Sequence, residues 1–103
     1  MEKRRPHYRL IEIQAALGDA TKLNRTVTAA DGAADLGLSD EDVVSVIGGL
    51  THKDFYKSMT ALHDNKLWQD VYQPNVACEK LYVKFTKDAG GNYLLISFKE
   101  SES

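Results

Sequence analysis

The hydrophobic period of this chain changes near its midpoint, and that change limits the available folds more than any other feature. Up to Leu50 apolar residues recur every three or four positions; from Phe55 onward they fall in short aromatic and β-branched runs separated by turn-forming residues. The first pattern belongs to helices with one buried side, the second to strands. A chain of 103 residues buries roughly 65% of its unfolded surface, enough for one core. The expectation is a single α+β domain over residues 1–103, with short N-terminal helices packed on one face of an antiparallel sheet.

Pro6 suits a first helical turn, and Leu10, Ile13, Gln14 and Leu17 then recur at helical spacing before Gly18, which predicts a helix over residues 8–17. Residues 22–27 read as extended. Thr28 stands three residues before Asp31 in a capping-box spacing ahead of an Ala-rich stretch that stops at Gly37. Ser39 and Asp42 repeat that spacing, with Val43, Val44, Ile47 and Leu50 forming the apolar side of a third helix that ends near Gly48 and Gly49. Strands are predicted over residues 55–62, 68–76, 80–87 and 93–99, as a four-stranded meander with turns at 63–66, 77–79 and 88–92. Alternation puts Leu81, Val83 and Phe85 on one face and Tyr82, Lys84 and Thr86 on the other. It likewise separates Leu94, Ile96 and Phe98 from Tyr93, Ser97 and Lys99. Pro74 fits an edge or a bend.

Most catalytic constellations are missing. Gly48-Gly49 and Gly90-Gly91 lack the neighbours of a phosphate loop, and there is no G-x-S-x-G elbow. Cys78 is the only cysteine, so no internal disulfide and no thiolate zinc site can form within the chain. His7, His52 and His63 lie in separate segments without metal-ligand spacing, and no metal or cofactor is expected. No apolar run reaches the roughly 18 residues of a membrane helix, and no signal peptide follows the basic start, so an intracellular location is expected. What remains is a polar sheet face carrying Lys84, Lys99 and Tyr82, with Lys57 on a further strand whose facing alternation leaves ambiguous, because Phe55 and Met59 share its side as Val71 shares that of Gln69. Such lysines either solvate an open face and guard its edge, or hold a phosphate on rigid strands. His7 stands out because it adjoins Lys3, Arg4, Arg5 and Arg9.

Read as motifs, the second half says more. Residues 54–60, DFYKSMT, then 68–72, WQDVY, followed by Pro74, then Tyr82-Val83-Lys84, then 97–100, SFKE, occur in order and resemble the successive signatures of the MqsR family. The opening Met1-Glu2-Lys3-Arg4 with Pro6-His7 and Arg9-Leu10, and Ala34-Asp35-Leu36-Gly37-Leu38, also resemble that family, so the likeness covers nearly the whole chain. It implies a RelE-like fold, metal-independent cleavage of mRNA as the toxin of a type II toxin-antitoxin pair, and control by an MqsA-like antitoxin. Carried over position by position, it implies an active-site set of Lys57, Gln69, Tyr82 and Lys99. Lys84, His7 and Arg4 are the expected further RNA contacts. Members of the family can carry a basic residue between the Tyr and Pro of the second strand, where this chain has Gln73. The other reading of the same fold is a non-catalytic protein-interaction module.

A formal charge of -2 counts against nucleic acid until it is divided along the chain. Residues 1–25 hold six basic and three acidic side chains, residues 26–50 hold five acidic and no Lys or Arg, and residues 51–99 hold seven basic and five acidic. The N-terminus and the sheet are therefore net basic, which permits local steering of RNA. The acidic middle segment is expected to lie away from the site.

Overall fold

Two of the three α-helices begin at a side-chain cap supplied by the sequence. Residues 1–102 are described by the computed structural model, which contains helices α1 (Leu10–Ala16), α2 (Val27–Asp35) and α3 (Asp40–Gly48). At α3 the Ser39 hydroxyl accepts from the Asp42 amide at 3.2 Å while the Asp42 carboxylate accepts from the Ser39 amide at 2.9 Å, the reciprocal box read from the sequence. α2 starts earlier than expected, because Thr26 rather than Thr28 is its cap and accepts from the Ala29 amide at 3.1 Å. α1 is shorter than residues 8–17. The amides of His7 and Tyr8 are bound to the Asp70 carboxylate, which holds both residues out of the helix. Within residues 22–27 only 23–26 are extended, since Val27 already belongs to α2. Ala20–Lys22 form a 3-10 turn capped by Asp19, and Arg25 then bridges Leu95 in parallel.

The sheet contains β1 (Glu2–Lys3), β2 (Phe55–Ala61), β3 (Asp64–Tyr72), β4 (Asn75–Val76), β5 (Glu79–Lys87) and β6 (Tyr93–Glu100). β1 adds to β2, β2 pairs β3, β3 pairs β5, and β5 carries β6; the short β4 also pairs β5, and every one of these pairings is antiparallel. The four-stranded meander is thus present, but it gains β1 from the N-terminus and loses the continuity of residues 68–76. Pro74 breaks that run after Tyr72, its carbonyl still accepting from Leu81 N at 2.9 Å. The β4–β5 turn is tight, with Ala77 and Cys78 both left-handed at φ 50° and 69°. The first hairpin also turns sooner than expected, at Leu62-His63, and residues 65–67 are left as an irregularity before Trp68 pairs with Thr60.

Helices α1, α2 and α3 contribute Leu10, Ile13, Ala29, Ala33, Val43 and Ile47 to a core completed by Tyr72, Leu81, Val83, Phe85, Leu95 and Phe98. β6 departs from simple alternation. Phe85 faces Leu95 while Lys84 faces Ser97, so Ile96 is an extra residue. Phe98 is in the core as expected, but the bulge puts Leu95 there in place of Leu94 and Ile96 and sends Tyr93 to the helical face. The cause is visible outside β6, where Asn24 and Thr26 hold both backbone groups of Leu95 at 2.9 and 3.0 Å. Asp70 lies fully buried under the sheet, accepting from Ser58 Oγ at 2.6 Å, His7 N at 3.0 Å and Tyr8 N at 2.9 Å.

Two packing constraints set stability. A Cβ built on Gly32 lies 2.1 Å from the Phe98 carbonyl oxygen, whereas one on Gly48 meets nothing within 4 Å. Gly32→Ala is therefore expected to lose about 2–3 kcal/mol in urea unfolding by overpacking α2 against β6, while Gly48→Ala gains about 0.5–1 kcal/mol. Asp70→Asn, which replaces one of the two acceptor oxygens by a donor NH2 facing donors, is expected to lose about 2–4 kcal/mol in the same measurement.

Candidate active site on the open sheet face

The sheet face turned away from the helices is built by register. Phe55 faces Tyr72 in the core, yet Lys57 faces Val71, so Tyr56 is an extra residue that moves Lys57 to the opposite side from Phe55. Val71 in turn faces Lys84, and Lys84 faces Ser97, which places Lys57 and Lys84 in one cross-strand row. Tyr82 faces Lys99 in the next row. The Tyr82 ring centroid is 5.5 Å from Lys99 Nζ and 5.8 Å from Lys84 Nζ, and Lys57 Nζ is 5.3 Å from the Tyr56 ring. Tyr56, Lys57, Gln73, Tyr82 and Lys99 line a shallow cavity of about 360 Å³ together with Ser101 and Glu102.

Of the residues singled out in the sequence, Lys57, Tyr82 and Lys99 thus meet at one cavity, and Lys84 lies against Tyr82. Gln69 shares their face through its pairing with Met59, but it is not among the residues lining the cavity. Arg4 sits at the rim, 5.7 Å from the Tyr56 ring. His7 is elsewhere: it stacks on Trp68, at 5.2 Å and 17°, on the face that carries Asp70. The acidic segment does not lie away from the site. α2 packs against β6, and Asp35 lines a cleft with Lys99, Glu100 and Glu102 while Asp31 and Asp35 line another with Ser97 and Lys99.

Three contributors were not singled out as site residues. Glu2 Oε1 accepts from Lys57 Nζ at 2.7 Å, a contact spanning 55 residues that no local pattern announces. Tyr56 reaches the cavity only through the bulge. Gln73 had a local signal, since it occupies the position of the family's basic residue, and its Nε2 donates to Ser101 Oγ at 3.4 Å.

The charges differ in kind although the residues are alike. Hydrogen bonding to Glu2 pushes the Lys57 ammonium above the ordinary lysine value. Burial pushes Lys84 below it, helped by repulsion from Lys99 and Lys57. Burial also raises the Tyr82 phenol, with Lys57 pulling the other way. The site therefore offers a fixed cation, an amine that loses its proton comparatively readily, and a phenol that keeps its own. Among the described residues no three His, Cys, Asp or Glu side chains gather as a metal-holding group, and no helix is long and apolar enough to cross a membrane.

Comparison with known proteins adds two findings. Residues 5–100 match the sequence profile of the family described as motility quorum-sensing regulator, toxin of MqsA. The chain is also 42% identical over 100 residues to the mRNA interferase toxin MqsR of Escherichia coli (strain K12), an alignment covering 97% of this chain and 99% of that relative.

The buried amine has a cost for folding that can be measured. Because the folded-state pKa of Lys84 is depressed, the unfolded chain binds the extra proton. The penalty is full below the folded value and is relieved as pH rises toward the ordinary lysine value. Lys84→Met is accordingly expected to stabilise the protein by roughly 0.5–2 kcal/mol near neutral pH. That gain should shrink as urea titrations are repeated at increasingly alkaline pH.

Proposed function

The chain belongs to the MqsR family of toxins, and on that premise we propose that it is an mRNA interferase whose active site is the lysine cluster on the open sheet face. The observation that carries this assignment is the convergence of Lys57, Lys84, Lys99 and Tyr82 on one face, with three ammonium-bearing side chains around one phenol. Cutting RNA without a metal needs a base for the 2'-hydroxyl, positive charge for the phosphorane-like transition state, and an acid for the departing 5'-oxygen. The cluster supplies each.

Lys84 is the base in this scheme. Its neutral amine takes the 2'-hydroxyl proton as the 2'-oxygen attacks phosphorus. Lys57, held charged by Glu2, and Lys99 stabilise the charge on the non-bridging oxygens. The bond from phosphorus to the 5'-oxygen breaks as that oxygen takes the Tyr82 proton. The products are a 2',3'-cyclic phosphate and a 5'-hydroxyl, and water restores the protons of Lys84 and Tyr82 to their starting arrangement. Gln73, at the cavity wall, donates a neutral amide to a phosphate or base edge. Gln69 and Arg4 contact the substrate outside the cavity. The partner that restrains this activity is an antitoxin of the MqsA type, and the site of action is wherever mRNA is exposed.

The assignment predicts cleavage of single-stranded RNA in EDTA, with cyclic phosphate ends detected by mass spectrometry. Lys57→Ala, Lys84→Ala, Tyr82→Phe and Lys99→Ala should each lower kcat by about 10²–10³-fold while retaining the fold. The rate should rise with pH to an inflection below the ordinary lysine value, and Lys84→Arg, which cannot lose its proton, should abolish that limb. Full activity in all four variants, or activity dependent on added metal, would refute the site.

A further inference from the structure

A phosphodiester held over the lysines belongs to a chain that continues in both directions, and the surroundings of the cavity are electrically unequal. On the α2 side stand Asp31, Asp35, Glu100 and Glu102. On the β1 side stands Arg4, against Tyr56 at the rim. From there the N-terminal segment passes round the free edge of the sheet. Lys3 pairs with Ser58 on β2, and the amides of His7 and Tyr8 are tied to Asp70 on the helical face.

On that second face cations and rings are interleaved. Lys3 Nζ lies 4.1 Å from the Trp68 ring centroid and 2.9 Å from His7 Nδ1, with His7 stacked on Trp68. Further along, Lys87 Nζ lies 4.9 Å from the Tyr93 ring and 5.9 Å from the Tyr8 ring, and these two rings meet edge to face at 5.6 Å. The nearby acids are already engaged. Asp70 accepts from Ser58, His7 and Tyr8, while Glu12 accepts from Tyr93 OH at 2.9 Å and pairs with Arg9 at 3.9 Å.

We infer that the strip from Arg4 round the sheet edge to Lys87 is a second binding surface for single-stranded RNA, holding nucleotides that extend beyond the cleaved phosphate. It rests on the endoribonuclease reading of the lysine face. Positive charge tracking a backbone, combined with aromatic side chains, is the general means by which single strands are held without base-specific contacts. The acidic flank repels the backbone from the other side of the cavity, so the strand leaves across β1. His7 reports on the occupant. Burial, Lys3 and Lys87 lower its pKa, Asp70 raises it, and a phosphate between the two ammonium groups offsets their repulsion.

The test uses 2'-O-methyl oligonucleotides, which cannot be cut, of about three and about twelve nucleotides, in anisotropy titrations across salt. The wild type should bind the longer strand at least about tenfold tighter. Lys3→Gln/Lys87→Gln should erase most of that length advantage and reduce the salt slope by about 1.4, the contribution of two phosphate contacts on a single strand. Lys80→Gln, at the opposite end of β5 from Lys87, should keep both. In NMR titration the His7 imidazole pKa should rise with the longer strand and not with the shorter. Equal affinity of the wild type for both lengths, or a double variant with the full advantage and slope, overturns the inference. So does intact RNA affinity in a double variant that has lost antitoxin binding, which would make the strip a protein-docking surface. A wild type that cuts RNA but shows no length advantage sinks this inference alone; one that neither binds nor cuts RNA sinks the endoribonuclease reading with it.

Discussion

A single buried carboxylate organises the functional half of this molecule. Asp70 sits fully buried on β3, and its partners are a serine on the adjacent strand and two consecutive amides from the N-terminal segment. An uncompensated carboxylate in that position is prohibitive, so the amides of His7 and Tyr8 are held there by the cost of leaving it unpaired. Fixing residues 7 and 8 fixes the path of residues 1–6. β1 can then lie on the edge of β2, Glu2 reaches Lys57, and Arg4 reaches Tyr56. The same anchor turns His7 toward Trp68 and away from the cavity. One interaction under the sheet thus determines which charges reach each of its faces.

The division into helices followed by strands was legible because it rests on local rules. The α3 capping box needs only Ser39 and Asp42 at the right spacing, and the placement of Tyr82 and Lys99 on the polar face follows from alternation within each strand. What alternation misreads are its interruptions. Tyr56 and Ile96 are extra residues whose presence is set by distant partners, the former within the β2–β3 register and the latter where Asn24 and Thr26 grip Leu95. A period-2 pattern carries no mark of such a slip, yet each one exchanges the faces beyond it. Lys57 was ambiguous in the sequence for this reason, and its position became definite only with the bulge at Tyr56.

Family resemblance pointed to Lys57, Tyr82 and Lys99 for reasons independent of the fold, and the three line one cavity. Neither route pointed to Glu2, because an ion pair across 55 residues leaves no trace in local spacing. Nor did segment charges foresee that α2 would bring Asp31 and Asp35 beside Lys99. Gly32 is the reason. Lacking a side chain, it lets the acidic helix rest directly on the backbone of β6, and the strand next to a cationic site thereby acquires an anionic border.

Three lysines on one face would ordinarily behave alike, all charged at neutral pH and mutually repelling. Here the surroundings make them unequal. Glu2 satisfies Lys57 and holds its charge, whereas Lys84, partly buried and repelled by Lys99 and Lys57, has no carboxylate hydrogen bond among the described residues and is pushed toward its neutral form. The repulsion that disfavours a proton on Lys84 is strongest when its neighbours remain charged, so the contact that fixes Lys57 as a cation also favours the neutral amine that the proposed scheme assigns to Lys84. That scheme calls on no histidine, because burial acts oppositely on Lys84, whose proton it loosens with the help of neighbouring charge, and on Tyr82, whose proton it retains. The N-terminal strand is therefore part of the electrostatics of the site, even though the strand-borne amines and phenol that it tunes all come from the sheet that follows.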